Sequence, residues 1–134
     1  MAKISIAAAQ TIPVKGNIAE NIKRHEKLIK YAAEKEVDIL LFPELSLTGY
    51  EMELASDLSM SFFDKRIHPL MSLSRNHNMI IIAGAPVRVD KRLYIGAFVL
   101  NPDGSLSLYL KHHLHSGEEK VFKPGHLNPM IYSG

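Results

Sequence analysis

Val37-Asp38-Ile39-Leu40-Leu41-Phe42-Pro43-Glu44 is a short, near-continuous apolar run that stops on a proline and a carboxylate. Its length and its β-branched and aromatic content suit a strand covered on both faces, as in a parallel or mixed sheet. Pro43 ends the strand. Upstream, residues 3–9 (Lys-Ile-Ser-Ile-Ala-Ala-Ala) read as a first buried strand. Between the two lie Pro13 and Gly16, and then Asn17 with Glu20 three positions on, a capping-box-like pair. Ile18, Ile22, Ile29 and Ala33 fall at helical spacing among Lys23, Lys27, Lys30 and Glu34, which predicts an amphipathic helix over 18–36. Strand, helix, strand is a βαβ unit, whose crossover is right-handed almost without exception.

Downstream, residues 43–60 read as irregular, with a short helix around 51–58. Phe63, Ile67, Leu70 and Met71 predict a helix over 62–77. Pro69 must either kink it or stand in the first turn of a restarted helix. Met79-Ile80-Ile81-Ile82-Ala83 is a third buried strand ending at Gly84. The rhythm then changes. Residues 86–90 and 93–100 read as two antiparallel strands around Asp90-Lys91-Arg92, Asn101-Pro102-Asp103-Gly104 is a turn, and 105–111 returns as a strand. Residues 112–128 read as loop. No repeat or linker interrupts the pattern, so the whole chain, 1–134, is taken as one α/β domain.

Composition narrows the function classes. With 46% hydrophobic residues the 134-residue chain can build a core. A net charge of +2 with scattered signs gives no footprint for nucleic acid. No apolar run approaches the roughly 20 residues of a membrane span, and Met1-Ala2-Lys3-Ile4 enters a strand pattern directly, so a cytoplasmic address is expected. There is no cysteine, which excludes disulfides, thiolate metal sites and a cysteine nucleophile within the chain. The chain has no GxGxxG or Walker loop, so no nucleotide cofactor is expected. His112, His113 and His115 form an HxH-type cluster, but no partner residue with metal-site spacing accompanies it, so no metal is expected. His25, His68, His77 and His126 are isolated in sequence.

Three features carry chemistry. Glu44 follows a buried strand directly, at the sheet edge where α/β proteins place ligands, and partial burial there would suit a general base. A solvated loop acid would occupy the same position. Lys111 ends the strand Leu108-Tyr109-Leu110 and could stabilise an oxyanion, or simply face solvent. Glu118 and Glu119, in Gly117-Glu118-Glu119-Lys120-Val121-Phe122-Lys123-Pro124-Gly125, could orient that lysine, or belong to a charged surface loop.

Taken together these blocks resemble the nitrilase superfamily of carbon–nitrogen hydrolases. Phe42-Pro43-Glu44-Leu45-x-Leu47-x-Gly49-Tyr50 is similar to its first signature. Tyr109-x-Lys111-x-His113-Leu114, with Glu119 and Phe122-x-Pro124-Gly125, is similar to its second. Asn21 and Gly84 also fit the pattern. The resemblance implies a mixed-sheet αββα sandwich, a small-molecule amide or nitrile substrate, and a homo-oligomer. It also implies catalytic roles: Glu44 as base, Lys111 as oxyanion stabiliser, and Glu119 as supporting carboxylate, with Glu118 the alternative. The family's nucleophile is a cysteine on a strand downstream of the second block. The chain is therefore expected to be the N-terminal half of such a domain, truncated before that strand and inactive alone; neither Ser116 nor Ser133 lies in a nucleophile motif. A non-catalytic remnant or self-associating module is the alternative. A flavodoxin-like nucleotide binder fits the opening βαβ but not the antiparallel turn after residue 84. One bare sheet face would expose about six to eight large side chains at about 1.5–3 kcal/mol each. That rivals a domain's net stability of about 5–15 kcal/mol, so either association through the face or membership of a longer product is expected.

Overall fold

The computed structural model describes residues 2–126. Its frame is a five-stranded mixed sheet with the strands in sequence order: β1 (Ile6–Ala8), β2 (Ile39–Leu41), β3 (Ile80–Val89), β4 (Arg92–Leu100) and β5 (Leu106–Leu110). β1, β2 and β3 are parallel, whereas β3–β4 and β4–β5 are antiparallel. Helix α1 (Ile18–Glu34) makes the first crossover, α2 (Ala55–Leu58) is a single turn, and α3 (His68–His77) leads into β3.

Within the described residues the predicted elements are present, with revised ends; residues 127 and 128 of the predicted loop and Ser133 lie outside the described residues. In α1, Asn17 Oδ1 accepts the Glu20 amide at 3.1 Å, as a cap should. The Glu20 carboxylate turns instead to Arg24, 3.5 Å away, so the box is half made. The 62–77 helix is a 3-10 turn (Lys65–Ile67) followed by α3, and Pro69 stands in the first turn of α3, where its missing N–H costs nothing. The segments 79–83 and 86–90 are one strand. Pro86 does not break it because its nitrogen lies on the side away from β4: its carbonyl accepts from Met60, whose own carbonyl accepts from Arg88. Asp90 and Lys91 both take positive φ (49° and 66°), the two-residue hairpin geometry that matches strand twist.

Alternation divides the sheet into two faces. Leu40, Ile81, Ala83, Val87, Phe98, Leu100 and Leu108 point to one face and form a core with Ile22, Ile29, Ile67 and Leu70 of the helical layer. The other face is split. Towards the start of β4, Leu93 and Ile95 are covered by Leu45, Ala55 and Phe122. Towards its end, Ile6 and Leu41 are exposed (69% and 45%), and Ile39, Ile82 and Ala97 are half-buried. The bare face is smaller than expected, because the turn after β2 and the segment around Phe122 cover part of it and because Ile80 and Val99 are buried.

Candidate active site

The site forms where the covered and open parts of that face meet. The turn after β2 carries Glu44, and two features fix its path. Leu47 donates its amide to the Gly84 carbonyl at 2.9 Å, docking the turn on β3. At that contact a Cβ on residue 84 would lie 2.5 Å from the Leu45 amide nitrogen, so only glycine admits the approach. Leu45 itself takes φ +55°, a conformation uncommon for leucine. On the far side of the turn, Asn21 of α1 is buried. Its Oδ1 accepts from the Val14 amide at 2.7 Å, and its Nδ2 donates to the carbonyls of Val14 (2.9 Å) and Leu47 (3.0 Å).

Lys111 is set by backbone bonds on both sides. Its amide donates to Ile95 at 2.8 Å, and its carbonyl accepts from Gly125 at 2.8 Å. Gly125 packs on Leu110 so closely that a Cβ would fall 2.2 Å from the Leu110 Cβ, which accounts for the glycine of the Pro-Gly pair.

These supports bring Glu44 and Lys111 together across 67 residues of chain, with Nζ 2.7 Å from Glu44 Oε1. The carboxylate on the other side of the ammonium is Glu118, with Oε1 at 3.0 Å. Glu118 is 2% exposed, accepts the His115 amide at 2.7 Å, and accepts the Tyr50 hydroxyl. Glu119, the residue matched from sequence, is exposed and accepts the Gly117 amide at 2.7 Å. The structure therefore places Glu118, not Glu119, against Lys111. The 3-10 turn Glu118–Lys120 explains the swap, since neighbouring residues on a turn point in different directions.

Burial pushes the Glu118 carboxyl up, but the Tyr50 hydroxyl, the His115 amide and the Lys111 ammonium outweigh it and hold the group below the usual range. Burial likewise pulls Lys111 down, while hydrogen bonds to Glu44 and Glu118 hold it above the ordinary lysine value. Tyr50, bonded to Glu118, is pushed up to about 12. Two carboxylates thus share one ammonium. The cluster borders a groove of about 570 Å³ lined by Leu41, Phe42, Ile82, Ala97, Val99 and Tyr109, among others. Among the described residues no group of three or more His, Asp or Glu is placed to hold a metal, and no helix is long and apolar enough to cross a membrane.

Sequence reasoning gave no role to Tyr50, Ser46 or His25. The signal for His25 was its spacing: it shares the buried face of α1 with Ile18, Asn21, Ile22 and Ile29.

A mixed sheet with a Glu–Lys–Glu cluster past the carboxyl end of β2 is an α/β arrangement that gathers two carboxylates and an ammonium at its sheet edge. Residues 5–133 match the carbon-nitrogen hydrolase model, and the chain belongs to that family. It is similar to a nitrilase of Pyrococcus abyssi, with 29% identity over 96% of this chain and 51% of the relative. Its fold matches a CN-hydrolase superfamily protein of Xanthomonas campestris with a TM-score of 0.87 at 18% identity, over 98% of this chain and 50% of the other. It also matches an amidase of Nesterenkonia sp. AN1 solved with butyramide, with a TM-score of 0.79 at 22% identity, over 98% and 52%. The chain spans about half the length of each.

Proposed function

We propose that this chain supplies the acid/base half of a carbon–nitrogen hydrolase centre acting on a small amide or nitrile. The observation that carries this reading is the Lys111 ammonium, held 2.7 Å from Glu44 and 3.0 Å from Glu118 at the rim of an apolar groove. Glu44 is the more exposed carboxylate (41%) and so the one able to exchange protons with a reacting group. It takes the proton of a cysteine thiol, which is mostly protonated at neutral pH. The thiolate adds to the carbonyl or nitrile carbon, and the negative charge on the former carbonyl oxygen (or nitrile nitrogen) meets Lys111. With an amide, Glu44 returns the proton to the nitrogen as the C–N bond breaks and ammonia leaves, then deprotonates the water that releases the acid from the thioester. With a nitrile, the proton goes to the thioimidate nitrogen, and ammonia leaves only after water has added to that carbon. Glu118 stays ionised and aims Lys111. The thiol must come from outside these residues, because the chain has no cysteine.

Three outcomes test the reading. The pure 134-residue chain releases no ammonia from butyramide; Glu44-dependent release would overturn the requirement for an external thiol. In an assembly of this chain with a cysteine-bearing segment, Glu44→Gln lowers turnover about 10²–10⁴-fold. Lys111→Met lowers it about 10²–10³-fold. Retained activity in either variant removes that residue from the mechanism.

A second reading, self-association without catalysis, is favoured by the exposed apolar residues Ile4, Ile6 and Leu41. Two copies packed through this face would cover them. Sedimentation of the chain as a soluble monomer counts against it, as does an Ile6→Lys, Leu41→Lys variant that sediments like the wild type.

A further inference from the structure

The turn that presents Glu44 is tied to α1 by a chain of hydrogen bonds whose direction can be assigned. His25 and Ser46 are both fully buried, and the imidazole stacks on Phe42 with centroids 4.0 Å apart. His25 Nδ1 lies 2.7 Å from the Asn21 carbonyl oxygen. A carbonyl only accepts, so Nδ1 carries the hydrogen. In the neutral ring Nε2 then offers a lone pair, and Ser46 Oγ sits 2.8 Å from it, so the serine hydroxyl donates. The same Oγ accepts the Gly84 amide at 3.1 Å. Gly84 N–H to Ser46 O–H to His25, and His25 N–H to the Asn21 carbonyl, is one unbroken run of donors pointing from β3 to α1.

We propose that His25 and Ser46 are positioning residues for Glu44, locking its turn against β3 so that the carboxylate meets Lys111; this rests on the reading of Glu44 as the base. Ser46 is two residues from Glu44, with Leu45 at φ +55° between them. A leucine stays in that conformation only where its surroundings over-determine it. The serine hydroxyl and the Leu47–Gly84 bond are the two ties on either side of the contact. A phenylalanine at 25 could still stack on Phe42, but it would leave the Ser46 O–H donor without its acceptor in a buried site. The histidine is needed for its two differently protonated nitrogens, not for its bulk.

Lys111 reports on Glu44 without any turnover. Glu44 is one of the groups that hold Lys111 above the ordinary lysine value, so Glu44→Gln is expected to lower the Lys111 NMR titration midpoint in the 134-residue chain. Ser46→Ala and His25→Phe are expected to lower it by the same amount, and Ser46→Thr, which keeps the hydroxyl, to leave it at the wild-type position. A Ser46→Ala protein that melts earlier but keeps the wild-type midpoint would show a merely structural serine and overturn the inference. No response to Glu44→Gln would instead overturn the pairing beneath the proposed function. The ¹⁵N spectrum of wild-type His25 decides the matter even if Ser46→Ala does not fold. Hydrogen on Nδ1 with Nε2 bare supports the assigned run, and the opposite tautomer or an imidazolium at neutral pH overturns it.

Discussion

The turn at residues 43–49 has a neutral side and a charged side, held by opposite means. On the neutral side Asn21, His25, Ser46 and Thr48 are buried to within 1% of complete exclusion, and no buried side-chain nitrogen or oxygen of the described residues lacks a partner. Neutral groups can be buried this deeply because each hydrogen bond to water is replaced by one within the protein. On the charged side exposure is graded: Glu118 at 2%, Lys111 at 23%, Glu44 at 41%. Two carboxylates and one ammonium leave an excess negative charge, and an unpaired charge is too costly to bury. The outermost group, Glu44, therefore stays in reach of solvent and of any reactant. One side fixes the turn, and the other keeps a proton acceptor available.

The change that breaks both sides at once is Gly84→Ala. Its new Cβ meets backbone atoms, Leu45 N at 2.5 Å and Pro43 O at 2.9 Å, which cannot rotate away. A cost of about 3 kcal/mol is expected, read as a lowered denaturant midpoint. The Lys111 titration midpoint should fall with it, because the turn is lifted off β3. A variant of wild-type stability would mean that the turn is not seated on β3 as described.

Acid separates the two sides. Burial lowers His25 from 6.5 to about 4, against the weaker opposing effect of its bond to Asn21. The unfolded chain therefore binds a proton that the folded chain refuses between these values, and stability is lost as pH falls from about 6.5 to about 4. The shift corresponds to roughly 3 kcal/mol. His25→Gln should flatten this part of the stability–pH curve. An unchanged slope between pH 6.5 and 4 in that variant would place the acid sensitivity elsewhere.

The two sides also differed in how far the sequence revealed them. A place at the end of an apolar strand left Glu44 and Lys111 open to a solvated reading, and it was the resemblance of the blocks around them to the family signatures that singled them out. The merging of 79–83 with 86–90 was not legible: Gly84 and Pro86 are ordinary breakers, and only the partners of Pro86, at Met60 and across from β4, show why they are tolerated. The His25–Ser46 contact joins residues 21 apart through a crossover, which no local pattern encodes. The choice between Glu118 and Glu119 depends on the rotation of a single 3-10 turn, finer than periodicity can resolve.

That choice yields the smallest effect and the finest comparison. At neutral pH Glu118→Gln removes a charged partner from Lys111, and a charge-assisted bond is worth about 1.5–3 kcal/mol, of which the amide recovers part, so a loss of about 1–2 kcal/mol is expected. Glu119→Gln, on an exposed carboxylate, should stay within about 0.5 kcal/mol. The difference should also vanish at both ends of the pH range. The Glu118 carboxyl is held below its ordinary 4.5, so its contribution is present above that value and is lost as pH falls through the folded value. Lys111 is held above 10.5, so its contribution is present below that value and is lost as pH rises through the folded one. The gap between the two variants is therefore widest between those limits. Equal costs for the two substitutions, or a gap indifferent to pH, would mean that Glu118 is held by the His115 amide and Tyr50 alone and that Lys111 draws nothing from it.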